Sequence, residues 1–378
     1  MDERVLAERL ITYDTSTSDG LRAAVGFVKG WLEARDVPVT GREFGGLPVV
    51  LADIGPAAGP CVILHGHVDV VPAHADQFHP RIEGDRLIGR GAYDMKGGLA
   101  AMMCAVHDCA QNGGVRVRFI CVPDEESDNL DFRCTDALVQ EGLTADFAIT
   151  GEPTDLHIGV QAKGVLAVSV EVSGTAAHGS TPWQGDNAIL KAYDVFRRIE
   201  TLRFSRESSD LFDRPSINVS RIVGGDAFNK VPDRCTMDVD IRYLPTQDPG
   251  EILADIRALE DVRIVKTFQR APARVSRSNP FVRALRDAVS NSLDDEALSI
   301  GRDGASDAIS FLQAGIPAVE FGPTGGGHHG PDEWVSIDSL ARYRQALRDF
   351  VFGLPDWLAR MDEAGTRAPL RAVDGGLA

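Results

Sequence analysis

The feature that most limits the fold of this chain is an alternation of short apolar strands and amphipathic helices that breaks near residue 165 and later resumes. Helical spacing marks residues 2–12 and 20–34, where Leu21, Val25, Val28 and Leu32 fall on one face. Short apolar, β-branched runs follow at 48–53 and 61–65, and a helix is expected from just after Lys96-Gly97-Gly98 through Met102 to Asn112. Residues 115–122 alternate at period two and read as a strand, as does the short run 147–150. Strands alternating with helices imply a largely parallel sheet covered by helices.

From about residue 165 the order becomes strand 166–172, helix 187–202, strands 216–223 and 235–244, helix 249–259 and strand 262–268. This β-α-β-β-α-β order is the ferredoxin-like unit, which can stand as a two-layer domain of its own. Helices at 280–293 and 305–313, a buried strand at 316–321 and an amphipathic helix at 337–354 then restore the first pattern. The expectation is one α/β domain made of residues 1–164 and 273–378, carrying 165–272 as an insertion. A chain of 378 residues exceeds one ordinary core, in keeping with two domains. The tail beyond Ala364 lacks periodicity and is expected to be mobile.

Composition narrows function by exclusion. A net charge of −17 opposes nucleic acid and anionic membranes as partners, since both require basic patches. No apolar stretch approaches the roughly 18 residues that span a bilayer. The acidic start Asp2-Glu3-Arg4 is unlike a secretory signal, so a cytoplasmic location is expected. The cysteines at 61, 104, 109, 121, 134 and 235 form no CxxC pair and read as small buried hydrophobes in a reducing compartment.

Five segments place acidic or imidazole groups at the ends of expected strands, where open α/β sheets collect ligands. In the first, His67 and Asp69 lie two apart, so in extended backbone both face one side. A carboxylate there can accept the second ring N–H of a metal-bound histidine; a strand-end turn is the plainer reading, and His65 shares the parity as a decoy. In the second, glycines surround Asp94 just before a helix, where alone it would read as an N-cap. The third holds Glu125 and Glu126, which in extended backbone would point opposite ways, one to a metal and one to a substrate. The fourth sets Glu152 directly after a strand, and the fifth carries His328 and His329 in a glycine-rich loop. Imidazoles with several carboxylates and no thiolates suit zinc or a similar divalent ion.

Together the HxDxVP, GRGxxDMKGG, DEE, GEPT and HHGPDEWV patterns resemble the M20 metallopeptidases over about residues 5–355. That family includes acetylornithine deacetylase, succinyl-diaminopimelate desuccinylase and glutamate carboxypeptidase. The resemblance implies an α/β zinc-peptidase-like catalytic domain with a mainly parallel sheet, plus an inserted α+β ferredoxin-like lid and dimerisation domain. By position, His67, Asp94 and Glu152 would bind one zinc, and Asp94, Glu126 and His329 the other, with Asp94 bridging and cobalt or manganese as possible substitutes. His329 is taken over His328 because the family histidine stands four residues before a glutamate, here Glu333. A cis peptide at Asp94–Met95 is implied as well.

The same resemblance gives Glu125 the role of general base toward a water shared by the two ions, and Asp69 that of holding His67. It makes His178 a donor to the tetrahedral oxyanion, reaching the site from the partner in a homodimer joined through the insertion. Asn229 and Arg242 would hold the substrate carboxylate, and Lys163 would be a cationic substrate contact. On the residues alone, 177–189 reads as a strand-to-helix turn capped by Asp186 or Asn187, and the other three as ordinary polar positions. The expected substrate is a small N-acylated amino acid or short peptide, with deacetylase or desuccinylase chemistry ahead of carboxypeptidase or dipeptidase chemistry. Two rivals are weaker. Gly304-Ala-Ser-Asp-Ala lacks the last glycine of a serine-hydrolase elbow, and a non-catalytic binding homologue is opposed by the survival of all six metal and base positions. One departure from the family is the run Ser127-Asp-Asn-Leu-Asp, where relatives usually carry a glycine; it bears on substrate fit.

Overall fold

The computed structural model describes residues 2–110, 114–127, 132–293, 296–304 and 307–363. The expected helix end at Asn112, the run 128–131 after the paired glutamates, the serine of the elbow-like segment at 306 and the tail from Ala364 lie outside the described residues. The chain divides into two compact units, the first comprising Met1–Val160, Val275–Ile300 and Ser306–Ala378, the second Gln161–Arg274 and Gly301–Ala305.

The first unit is organised by a mixed sheet in which strands 39–44, 47–54, 116–122, 61–67, 147–150, 318–320 and 158–162 lie side by side in that order. Its centre is parallel: 61–67 runs with both 116–122 and 147–150, and 318–320 runs with 147–150. These strands are buried along most of their length, as the strands of a covered parallel sheet are, with Arg116 and Arg118 partly exposed. The antiparallel strand Val39–Phe44 was not expected from the sequence. Four of its six residues are exposed, so it shows no apolar alternation. A two-residue Gly45-Gly46 turn joins it to Leu47–Ile54, and both glycines hold the positive φ that such a hairpin requires.

The helix Gly97–Ala110 is buried on almost every side and packs against the helices Glu3–Ile11 and Ile337–Glu363. The last of these outruns its expected end at Leu354 and passes through Pro355, because Leu358 and Met361 continue the buried stripe. A separate antiparallel sheet, absent from the sequence reading, orders 325–326, 334–336, 86–88 and 81–83. Its strands are two or three residues long, too short for any periodicity to show.

The second unit has the expected β-α-β-β-α-β order. Its sheet runs 216–224, 234–243, 164–173, 262–270, with every neighbouring pair antiparallel. Alternate residues Leu166, Val168, Val170 and Val172 meet Met237, Val239 and Ile241 and the helix residues Ala192, Val195, Ile199, Ile252 and Ile256 in one core. Of the two candidate caps, Asn187 is the one used; its side chain accepts from the Ile189 and Leu190 N–H groups.

All six cysteines are unpaired, and burial pushes the thiols of Cys104, Cys109 and Cys121 up to about 12. No helix among the described residues is long and apolar enough to cross a membrane.

His65 is buried within the first unit, its Nε2 3.0 Å from Thr135 Oγ1, which in turn donates to Asp307 Oδ2 at 2.5 Å. Burial pushes its imidazole down to about 4. The unfolded chain takes up that proton near 6.5, so acid between 6.5 and 4 favours unfolding and stability is lost as pH falls through that window. Denaturant titrations at pH 7 and pH 5 should show the native chain losing about 2 kcal/mol more than His65→Asn. Parallel losses in the two proteins would show that the imidazole does not titrate this way.

Candidate metal centre

The centre is assembled at the carboxyl ends of the parallel strands, the position at which such sheets gather ligands. His67 closes the strand Cys61–His67. Its neighbours on either side run on into Glu125-Glu126 and into Glu152. Main-chain bonds from Val68 N to Val122 O and from Gly151 N to His65 O, both 2.9 Å, keep the three strand ends together.

Asp94 comes from elsewhere. It sits in the tight turn Ala92–Lys96 ahead of the buried helix, not at a helix N-cap, and its peptide to Met95 is cis. The turn is anchored by the buried Lys96, whose ammonium donates to Tyr13 O at 2.8 Å. Gly97 is required there, since a Cβ would stand 2.4 Å from Ala92 O.

The two oxygens of Asp94 face different partners. Oδ1 is 3.0 Å from His67 Nε2, while Oδ2 is 2.6 Å from His328 Nε2 and 3.3 Å from His329 Nε2. His67 Nε2 also lies 3.7 Å from Glu152 Oε1, and His329 Nε2 lies 2.7 Å from Glu126 Oε1. The result is two donor sets that share one carboxylate: His67, Asp94 and Glu152, and Asp94, Glu126, His328 and His329. Within each set the donor atoms lie within 4.8 Å of one another. His328, which the sequence reading set aside on the spacing of His329 to Glu333, reaches Asp94 alongside His329.

Asp69 does more than face the far side of His67, where its Oδ1 is 3.3 Å from Nδ1. Its carboxylate accepts the backbone N–H groups of Glu125 at 3.2 Å and Glu126 at 2.7 Å. The paired glutamates therefore lie in a turn, not in extended backbone, and strand parity does not orient them. Asp69 does so, with help from Asp124 Oδ2, which accepts from Cys134 N at 2.7 Å.

The electrostatics of the site favour positive charge among these carboxylates. Burial alone would push the His67 imidazole down, but the Asp69 and Asp94 carboxylates outweigh it and hold its pKa well above 6.5. Asp94 is held well below the usual carboxylate range, because bonds to His328, His329 and His67 overcome its burial. Burial pushes Glu125 well up, as do the nearby charges of Asp307, Asp94 and Glu126. Glu152 is raised by burial and by Asp94. A buried cluster of carboxylates is costly unless cations balance it, and imidazole nitrogen with carboxylate oxygen suits zinc or a similar divalent ion.

The remaining expected site residues belong to the second unit. Lys163 is buried, with its ammonium 2.7 Å from Asp303 and 5.5 Å from the Phe212 ring centre. It lines a cavity of about 410 Å³ together with Arg214 and Ser216. His178 Nδ1 is 2.8 Å from Ser180 Oγ, and Gly179 N donates to Asn229 O at 2.7 Å, so those two loops adjoin. Arg242 Nε is bonded to the Asp240 carboxylate, 3.1 Å from each oxygen.

Asp94 and Glu126 push the His329 imidazole up to about 10. Without a cation, His329 is therefore protonated at pH 8, and ligation must expel that proton. Zinc added to chelator-treated protein in weakly buffered indicator at pH 8 should release protons, in a yield that falls as the starting pH approaches 10. Binding without release would contradict this charge state.

The family model for Peptidase family M20/M25/M40 matches residues 63–352. A succinyl-diaminopimelate desuccinylase of Sphingopyxis alaskensis is 30% identical over 306 residues, covering 76% of this chain and 79% of that protein. One of the same name from Granulibacter bethesdensis is 28% identical over 351 residues, covering 85% of this chain and 91% of that protein. Among solved structures, an M20 family metallo-carboxypeptidase, Sso-CP2 from Sulfolobus solfataricus, superposes with a TM-score of 0.77. At 21% identity, over 94% of this chain and 100% of that one, it is a likeness of fold.

Proposed function

The chain belongs to the M20/M25/M40 peptidase family and is a metal-dependent hydrolase of amide bonds, and from that premise we propose that it removes the acyl group of a small N-acyl amino acid. The observation that carries this reading is the division of the Asp94 carboxylate between two donor sets, with Glu125 beside them but in neither. The desuccinylase name of the relatives supports an acyl amino acid over a longer peptide.

In this proposal His67, Asp94 and Glu152 hold one zinc, and Asp94, Glu126 and His329 the other. When bound, such a pair lowers the pKa of water and polarises an amide carbonyl. Glu125 takes a proton from the attacking water as its oxygen bonds to the acyl carbon. It then returns the proton to the amide nitrogen as the C–N bond breaks. Burial raises the pKa of this carboxylate, which favours its acceptance of that proton. Asp69 keeps His67 and the Glu125 turn in place.

The second unit supplies the lid and the homodimer contact in this reading. Its strand Ser216–Gly224 stands at a sheet edge with Ile222 and Val223 exposed, a surface that can pair across a two-fold axis. His178 would donate to the oxyanion from the partner, Asn229 and Arg242 would hold the substrate carboxylate, and Lys163 would meet a further anionic group. A carboxypeptidase or dipeptidase would use the same core groups.

Glu125→Gln should bind the same complement of metal and lose about a thousandfold in turnover. Assay of the metal-loaded protein on acetyl, succinyl and aminoacyl amides, with metal content measured in parallel, tests both parts. Near-native turnover by the variant would remove Glu125 as the base, and activity confined to dipeptides would remove the deacylase reading.

A further inference from the structure

The loop that carries Asp94 and the loop that carries His328 and His329 converge on one carboxylate that neither donor set uses. Glu333 is 1% exposed, and its oxygens collect four donors. Oε1 accepts the backbone N–H groups of Tyr93 and Asp94, each at 3.0 Å. Oε2 accepts the Gly91 N–H at 3.0 Å and an Arg90 guanidinium N–H at 2.6 Å. Three of these donors are main-chain groups of the very turn that presents Asp94.

Arg90 completes the connection. It is 3% exposed, and its second terminal nitrogen donates to the main-chain oxygen of His329 at 3.0 Å. The main chains are tied as well, by Gly89 N to Glu333 O at 2.9 Å and by the pairing of Trp334 with Ile88. Gln77 braces the histidine loop by donating to Gly330 O and Pro331 O at 3.1 and 3.2 Å, while its own main-chain oxygen accepts from Arg90 N. One buried ion pair thus grips the backbone of Asp94 with one member and the backbone of His329 with the other.

The chemistry makes that grip consequential. The carboxylate of Asp94 serves two donor sets with different oxygens, and on the His329 side the partner imidazole also stands on a loop that the pair holds. Sites of this kind require their first contacts to be held within about 0.5 Å. The set built on Asp94, Glu126 and His329 depends on both grips, whereas His67 and Glu152 stand on strand ends that Glu333 and Arg90 do not contact.

We propose that Glu333 and Arg90 form a positioning pair that sets the Asp94 carboxylate against the His329 imidazole, so that the second of two metal ions is held tightly only when the pair is intact. The proposal rests on the two-ion reading of the centre. A groove of acidic side chains would need no such device; a carboxylate shared between two ions does.

The test is stepwise zinc binding by calorimetry with a competing chelator, together with the visible spectrum of the cobalt-substituted protein. Glu333→Gln should weaken one ion by about 10–100-fold and leave the other within a few-fold, with a changed cobalt band for the weakened ion. Removing one member of a buried ion pair can unfold a protein, so Glu333→Gln/Arg90→Gln, which removes both charges together, carries the same test if the single variant does not fold. Thermal unfolding of the ion-free proteins checks that the variant compared is folded. A folded variant with native affinities and cobalt spectrum would overturn the proposal, as would equal weakening of both ions. Native protein that binds only one ion would instead sink the two-ion reading itself.

Discussion

Most of the structure can be understood as a way of burying several carboxylates within a few ångströms of one another. Asp69, Asp94 and Glu152 are all less than 9% exposed, and Glu125 and Glu126 are only partly open. Charges in such a place repel one another and lose their hydration, a combination tolerated only if cations and hydrogen-bond donors are provided. The perturbed acidities record the strain: Glu125 and Glu152 are pushed up, while Asp94, among imidazoles, is pushed down. A pair of divalent ions is the simplest balance for that charge, and the arrangement of nitrogen and oxygen donors matches it.

Two kinds of scaffold hold the donors. Strand ends carry His67 and Glu152, and their separation follows from hydrogen bonding across the parallel sheet. Loops carry Asp94 and the paired histidines, and loops need separate fastening. That fastening repeatedly takes one form, a buried carboxylate that accepts backbone N–H groups. Asp69 does this for the Glu125-Glu126 turn, and Glu333 does it for residues 91–94. Backbone N–H groups in a dry interior must find acceptors, and an ionised carboxylate is a strong one, so these acids both satisfy the backbone and aim the side chains it bears.

The second unit obeys a simpler rule. Each of its strands 164–173 and 234–243 alternates buried and partly exposed residues, and both helices bury one stripe against the same face. Local pattern and tertiary packing agree there, which is why its element order was readable in advance. The first unit was less legible at its edges. Its strand 39–44 is mostly exposed and its small sheet has strands of two or three residues, so neither carries a periodic signal.

The sequence by itself determined the residue types at the centre and the order of the long elements, because apolar periodicity and short motifs are local properties. It named His67, Asp94, Glu126, Glu152 and His329, which the fold brings into two adjoining sets. Only the tertiary structure decided how those groups are aimed. Strand parity misjudged the paired glutamates, since a turn held by Asp69 overrides it. Glu333 served only as a marker of spacing, and Arg90 only as one letter of the GRGxxDMKGG pattern, yet together they join two loops far apart in the chain. Such contacts depend on the path the backbone takes between distant segments, and that path follows from the packing of the whole core.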